Sequence, residues 1–377
     1  MKVIHILSEL HPSGAEVMLK LAAPIWHAEG LELSIVACAD EVGAFANELR
    51  EAGYEIFECR RERGIASLNF LRNLSDIFKT SEAEVVHIHS ESQCLLIALA
   101  ARMAGVPRII RTVHNNFPYT GFLKFQKSFE RHVIKWLGIS FVSIGESVSS
   151  TELVSFGNRT VRIENWIDSD HFRPPSSEER RAARAELGLD DNTHLLTSVG
   201  NGSDIKNYAA IIQSLPAFSG SDLLYLQVGN EHPTGIDREL VKALGLEQEV
   251  GFVGPKSDVR KYLWAADTFV MPSLHEGNSL AAAEALSTGI PCIFSRVPGL
   301  RDWAKYPLNV FWAESPHASD ITKALAKRFE QASQPVARSD TDFVRELASP
   351  RRGAMAYLSV YQDIFEADYI SSGWALL

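Results

Sequence analysis

Short, nearly unbroken apolar runs alternate with segments of helical spacing along almost the whole chain, in two separate series. The first contains KVIHIL (2–7), LSIVACA (33–39), EVVHIHS (84–90), RIIRTVH (108–114) and SFVSIGE (140–146), with helical patterns such as Glu16 to Ala28 and Leu95 to Ala104 between them. The second follows Pro174-Pro175 and contains LLTSVG (195–200), LLYLQVG (223–229), VGFVG (250–254), TFVMPS (268–273) and PCIFS (291–295). Strands that are apolar on both faces and separated by helices belong to parallel sheets. Two doubly wound α/β units are therefore predicted, 1–170 and 171–356, with YLSVYQDIFEADYI (357–370) read as a helix that returns to the first unit, closing it through 357–377. At 377 residues the length suits two domains of about 150 residues or more. Ligands in such sheets bind beyond the carboxyl ends of the strands, so two facing sheets point to a cleft between domains, lined by residues that follow strands.

Composition removes several classes of function. Thirty-seven basic against 47 acidic residues give a formal charge of −10, without the basic footprint of a nucleic-acid-coating protein. Cys38, Cys59, Cys94 and Cys292 form no C-x-x-C pair, which suggests neither a zinc site nor a disulfide framework. No run of about 18 apolar residues is present, and the opening MKVIHILSEL carries Glu9 where a signal peptide needs an apolar core and cleavage site. A cytoplasmic protein is the expectation.

Three post-strand segments carry chemistry. In MPSLHEGNSLAAAEALSTGIP (271–291), a polar turn at Glu276 to Ser279 leads into a helix ended by Gly289 and Pro291. The free amides and positive dipole end at Asn278, Ser279 and Leu280 suit a phosphate, and Glu284, about 7–8 Å along that helix, is long enough to reach a ligand's hydroxyls. Two glutamates this far apart also arise by chance, as ordinary surface residues; their strand-turn-helix setting is what gives them weight. In SVGNGSDIKN (198–207), Gly200 and Gly202 permit close backbone approach, and Lys206 offers a compact charge to phosphate oxygens, though a lysine beside a turn is also an ordinary surface feature. The turn HPSGAE (11–16) supplies Gly14 but lacks G-x-G-x-x-G spacing, which disfavours a nicotinamide enzyme.

The histidines are read as hydrogen-bonding groups. His87 and His89 lie two apart on one strand, and His114 ends the next, yet no carboxylate or cysteine stands at ligand spacing, so no metal is assigned. Asp168-Ser169-Asp170 sits in a linker and reads as turn chemistry.

These residues together resemble the nucleotide-sugar-dependent, retaining glycosyltransferases of family 4 (group 1), which have the GT-B fold of two Rossmann-like domains. The likeness spans nearly the whole chain: SGAE (13–16), VVHIHS (85–90), TVHN (112–115), IENWIDSDHF-P (163–174), G-x5-K (200–206), FVGPKSDV (252–259) and EG-x6-EAL-x2-G-x-P (276–291). The resemblance implies that Gly14 and Lys206 meet the donor diphosphate and His114 the transferred sugar. It also implies that Glu276 contacts that sugar with the amides of Asn278, Ser279 and Leu280 nearby, that Glu284 holds the ribose, and that Val253 and Gly254 lie beside the base. A UDP-sugar is favoured over a GDP-sugar, with a glycan or lipid-linked hydroxyl as acceptor and no metal or other cofactor. Two departures stand out. Asn201 occupies the position of an arginine that usually completes a two-cation clamp, a charge-assisted contact worth about 1.5–3 kcal/mol. Ser13 replaces the first glycine of a usual pair. Arg296 and Arg301 are candidate substitutes for the missing cation.

Catalysis in such an enzyme amounts mainly to stabilising charge on the departing nucleoside diphosphate. The reading is a hexosyltransferase of bacterial envelope polysaccharide or glycolipid synthesis. Its rivals are a GT-B-like sugar-nucleotide epimerase and a catalytically weak nucleotide-sugar-binding homologue or assembly subunit, the latter motivated by Asn201. Finally, GFLKFQKSFERHVIKWLG (121–138) sets Lys124, Lys127, Arg131 and Lys135 against Glu130, with Phe122, Phe125, Phe129, Val133, Trp136 and Leu137 as an apolar side. A basic amphipathic helix of this kind suits peripheral attachment to an anionic inner membrane surface; the alternative is aromatic packing on the protein's own sheet.

Overall fold

A computed structural model describes residues 1–60, 67–116, 119–331 and 338–363. The chain divides into two compact units, Met1–Trp166 with the segment beginning at Pro350, and Ile167–Ser349.

The first unit runs β1 (Lys2–Leu7), α1 (Gly14–Ala28), β2 (Glu32–Ala37), α2 (Ala46–Glu51), β3 (Glu55–Glu58), α3 (Ser67–Thr80), β4 (Val85–Ile88), α4 (Cys94–Met103), β5 (Arg108–Val113), α5 (Gly121–Trp136), β6 (Ser140–Ser143), α6 (Glu146–Phe156) and β7 (Val161–Arg162). Its seven strands are ordered β3-β2-β1-β4-β5-β6-β7, and every pairing is parallel. Chain direction across the sheet reverses between β1 and β4, where β1 and β4 pair with His5 opposite His87. The returning helix, α14 (Pro350–Gln362), begins seven residues earlier than 357, and residues 364–377 of the expected helix lie outside the described residues. It joins the first unit through Trp26, whose indole N–H donates to Ala354 O at 2.9 Å.

The second unit contains α7 (Ser177–Glu186), β8 (His194–Val199), α8 (Tyr208–Ser214), β9 (Leu223–Val228), α9 (Ile236–Leu244), β10 (Val250–Gly254), α10 (Arg260–Ala265), β11 (Thr268–Met271), α11 (Leu280–Thr288), β12 (Cys292–Ser295), β13 (Val310–Ala313), α12 (Ala318–Glu330) and α13 (Arg338–Leu347). Its six strands are ordered β10-β9-β8-β11-β12-β13. The central strands are covered on both faces, as their sequences demand: Phe269 and Met271 of β11 enter one apolar cluster with Phe294, while Val270 enters the other with Ile211 and Ile293. The direction reversal falls between β8 and β11, which brings the loops after these two strands side by side. Asp168 takes the turn role expected of it, its Oδ1 accepting the His171 amide at 3.0 Å. All four cysteines are buried.

Candidate active site

In the second unit, the loop after β8 and the loop after β11 are tied directly: the Leu274 amide donates to Ile205 O at 2.8 Å. Asn207, left-handed at φ 54°, closes the first loop and donates from Nδ2 to Pro272 O and Pro316 O at 3.0 and 2.8 Å. This scaffold brings Lys206 to Glu276. Lys206 Nζ donates to Glu276 Oε1 at 2.8 Å, and the same oxygen accepts from Ser273 Oγ at 2.7 Å. Ser273 is itself buried, its carbonyl accepting from Ser295 Oγ at 2.6 Å. The two residues expected on diphosphate and on sugar thus form a part-buried ion pair.

Two glycines are there because other backbone crowds them. A Cβ on Gly202 would collide with the His232 amide nitrogen, and one on Gly299 would collide with the Glu276 carbonyl. Gly299 therefore lets the segment after β12 lie against the glutamate loop, where the Glu276 amide donates to Pro298 O at 3.1 Å. The close approach at Gly202 is made to the chain's own 231–232 segment.

Downstream of Glu276, Ser279 caps α11, its hydroxyl accepting from Ala282 N at 3.4 Å and its carbonyl from Ala283 N at 3.2 Å. The amides of Leu280 and Ala281 have no acceptor within the helix. Glu284 lies on the fifth residue of α11; its carboxyl is half-buried and makes no hydrogen bond to another described residue. Burial pushes its pKa up to about 7. A carboxyl held at that cost without a protein partner is suited to a ligand that donates hydrogen bonds. Val253 and Gly254 close β10, half-buried, and Gly254 bridges back to Gly229.

Asn201 Oδ1 accepts the Asn230 amide at 3.0 Å, so this side chain braces two loops. Neither arginine proposed as a substitute cation joins Lys206: Arg296 pairs with Glu314 at 3.2 Å and lies over Trp312, and Arg301 is exposed in the 3-10 turn 301–305.

In the first unit, Gly14 opens α1 behind the N-cap Ser13, whose hydroxyl donates to the buried Glu16. Ser13, a departure from the family pattern, thereby holds the start of its helix. His114 is half-buried beyond β5, its Nε2 3.0 Å from His89 Nδ1. His89 Nε2 lies 3.1 Å from His5 Nδ1. His87 is held from the other side, its Nδ1 2.8 Å from Tyr361 Oη and its Nε2 2.7 Å from Thr112 Oγ1. His5, Ser273, Asn207 and Gly299 were missed in the sequence; a histidine inside the apolar run KVIHIL was the one available signal.

Helix α5 corrects one expectation. Arg131 is not a surface cation: it is 2% exposed, with its guanidinium on Glu152 at 2.7–2.9 Å, and Lys127 pairs with Glu91 and Glu130 at 3.0 and 3.1 Å. The aromatic residues do not pack on the sheet either. Phe122, Phe125, Phe129 and Trp136 are 81, 69, 62 and 84% exposed, at spacings of three, four and seven that form one stripe opposite Arg131 and Ile134. Among the described residues no helix is long and apolar enough to cross a membrane.

Comparison with known proteins agrees with this architecture. The model of the Glycosyltransferase Family 4 matches residues 12–197, and that of Glycosyl transferases group 1 matches residues 179–340. The UDP-Gal:alpha-D-GlcNAc-diphosphoundecaprenol alpha-1,3-galactosyltransferase of Escherichia coli is 28% identical over 292 residues, 71% of this chain and 72% of the relative. Among solved structures, a glycosyltransferase from Rickettsia africae superposes with a TM-score of 0.83 at 17% identity, covering 96% of this chain and 98% of that one. Anabaena HepE in complex with UDP gives 0.78 at 18% identity, covering 99 and 100%. With its two doubly wound sheets and family matches running from residue 12 to residue 340, the chain belongs to the family 4, group 1 glycosyltransferases of the GT-B fold.

Proposed function

We propose that this glycosyltransferase moves a hexose from a UDP-sugar to a hydroxyl of a glycan or lipid-linked acceptor with retention of anomeric configuration, in envelope polysaccharide or glycolipid synthesis. The observation that carries the reading is the pairing of Lys206 with Glu276 beside the capped start of α11, with the unpartnered Glu284 one turn further on. Lys206 and the amides of Leu280 and Ala281 take the diphosphate and the charge that grows on it as the anomeric C–O bond breaks. Glu284 accepts from the ribose hydroxyls. Glu276, released by Lys206 when phosphate arrives, orients the sugar, with Asn278 and Ser279 framing that turn and Val253 and Gly254 beside the base. In the first unit, Gly14 is assigned to the diphosphate and His114 to the sugar, on the family resemblance. The relative from Escherichia coli, named for a UDP-galactose donor and an undecaprenyl-linked acceptor, and HepE, solved with UDP-glucose, support UDP as the nucleotide.

No step in this scheme needs a metal, so EDTA is expected to leave turnover unchanged. The test is donor chemistry: purified protein supplied with UDP-hexose alone releases UDP slowly by hydrolysis. A pure binding module releases none, and an epimerase returns a new UDP-sugar in place of free UDP.

The aromatic stripe of α5, flanked by exposed Lys124 and Lys135, supports peripheral attachment to an anionic membrane surface, with the aromatic rings supplying most of the binding.

A further inference from the structure

His5, His89 and His114 form a continuous imidazole chain with two ring-to-ring links, of 3.1 and 3.0 Å. Burial pushes the pKa of His5 down to about 3 and of His114 down to about 4, and holds His89 well below the usual histidine range, so all three rings are neutral near pH 7. Each neutral ring carries one N–H, and each link requires one proton between its two nitrogens. Three protons and two links leave two arrangements. Either every ring is protonated on Nδ1, and His114 has Nδ1–H free to donate, or every ring is protonated on Nε2, and His5 carries a donor at Nε2.

His5 Nε2 settles the choice. It is buried and has no hydrogen-bond partner among the described residues. His5 lies against Trp26, with ring centroids 5.4 Å apart, and its ring plane is at 76° to that of Tyr54, 6.0 Å away. An orphaned N–H in such a setting carries the full desolvation cost, and buried unpaired N–H groups are rarer in folded proteins than under-satisfied acceptors, which favours the arrangement with every ring protonated on Nδ1. His87, whose two nitrogens are engaged by Tyr361 and Thr112, packs on His89 with ring centroids 3.9 Å apart and fixes that ring's orientation. The same engagement sets aside a metal reading of His5, His87 and His89, which have ligand atoms within 4.8 Å of one another. A metal bound by all three would break a hydrogen bond of His87.

We infer that His5 and His89 are positioning residues that set the tautomer of His114, keeping its proton on Nδ1 as a donor and its Nε2 as an acceptor locked to His89. The value of this for transfer rests on the reading that His114 meets the sugar. There, a fixed donor would discriminate the sugar oxygen it faces.

The test uses the full, ligand-free chain labelled with nitrogen-15 histidine, with ring tautomers read from long-range nitrogen–proton correlations. Wild type is expected to show His5, His89 and His114 neutral and protonated on Nδ1. His89→Asn places an amide donor where Nδ1–H stood and preserves the His114 tautomer; His89→Asp is nearly isosteric but only accepts, and draws a proton onto His114 Nε2. UDP-glucose and UDP-galactose hydrolysis is expected to fall about tenfold further in His89→Asp than in His89→Asn, the equivalent of one lost hydrogen bond. Wild-type His114 protonated on Nε2, or the same His114 tautomer in both variants, overturns the inference. Tautomers that respond as expected with equal hydrolysis in the two variants uphold the chain and overturn the placement of His114 on the sugar.

Discussion

Lys206 Nζ donates to Glu276 Oε1 across 2.8 Å, joining the loops that follow the two strands flanking the direction reversal of the second sheet. Each residue neutralises the other before any ligand arrives. A diphosphate must therefore compete with Glu276 for the lysine, and winning that competition frees the carboxylate. Glu276→Gln weakens the competitor without removing volume, so it is expected to tighten UDP binding several-fold in calorimetry while lowering turnover by tenfold or more. Lys206→Ala is expected to cost more than tenfold in kcat/KM, since the loop 200–207 holds no other cation. Weaker UDP binding in Glu276→Gln would show that the pair acts jointly on the diphosphate.

Asn201 bears on the same loop. Restoring arginine there supplies the usual second cation but removes the acceptor of the Asn230 amide. Asn201→Arg is expected to lose about 1 kcal/mol of stability in denaturant titration, the worth of one hydrogen bond, while UDP affinity stays level or rises. A gain in stability would mean that the Asn201 contact braces nothing.

Glu284 gives a pH signature. Its pKa is raised in the folded protein to about 7, so its contribution to stability is fully present below the unfolded value near 4.5 and is lost as pH rises through about 7. Glu284→Gln carries no such loss. The variant is expected to match wild type near pH 4.5 and to exceed it above pH 8 by on the order of 2 kcal/mol, after allowance for partial exposure, while binding nucleotide more weakly. A pH-independent difference in thermal stability would contradict the burial of this carboxyl.

The α5 surface needs a different variant from the one its sequence suggests. Replacing all four cations includes Arg131, and breaking its buried pair with Glu152 is expected to cost about 3–5 kcal/mol, confusing unfolding with loss of binding. Phe122→Ser, Phe125→Ser, Phe129→Ser and Trp136→Ser combined leave that pair intact. Wild type is expected to sediment with anionic vesicles, less so in high salt, and the aromatic variant to remain in the supernatant. Equal sedimentation of both would exclude the stripe as the contact.

Much of the fold was legible because buried parallel strands write themselves as apolar runs. What escaped were strands too short or too mixed to do so, each the outermost strand at one edge of its sheet: EIFE at Glu55–Glu58, VR at Val161–Arg162 and VFWA at Val310–Ala313. Individual site residues were visible as motifs, but their partnership was not. Lys206 and Glu276 stand 70 residues apart, and only the adjacency of β8 and β11 makes them neighbours. Arg131 was misread because helical periodicity shows which residues share a face but not which face is buried; the answer lay in Glu152, on the following helix.

Nucleotide-sugar binding puts the proposed site to its most direct test. Calorimetric and thermal-shift titration of UDP-, GDP- and ADP-sugars into wild type, Lys206→Ala and Glu284→Ala is expected to find a UDP-sugar that, at a hundred times its Kd, adds about 2.7 kcal/mol of stability to wild type and much less to either variant. Absence of binding by every nucleotide sugar, or binding undiminished by both substitutions, would contradict a donor site built on Lys206 and Glu284.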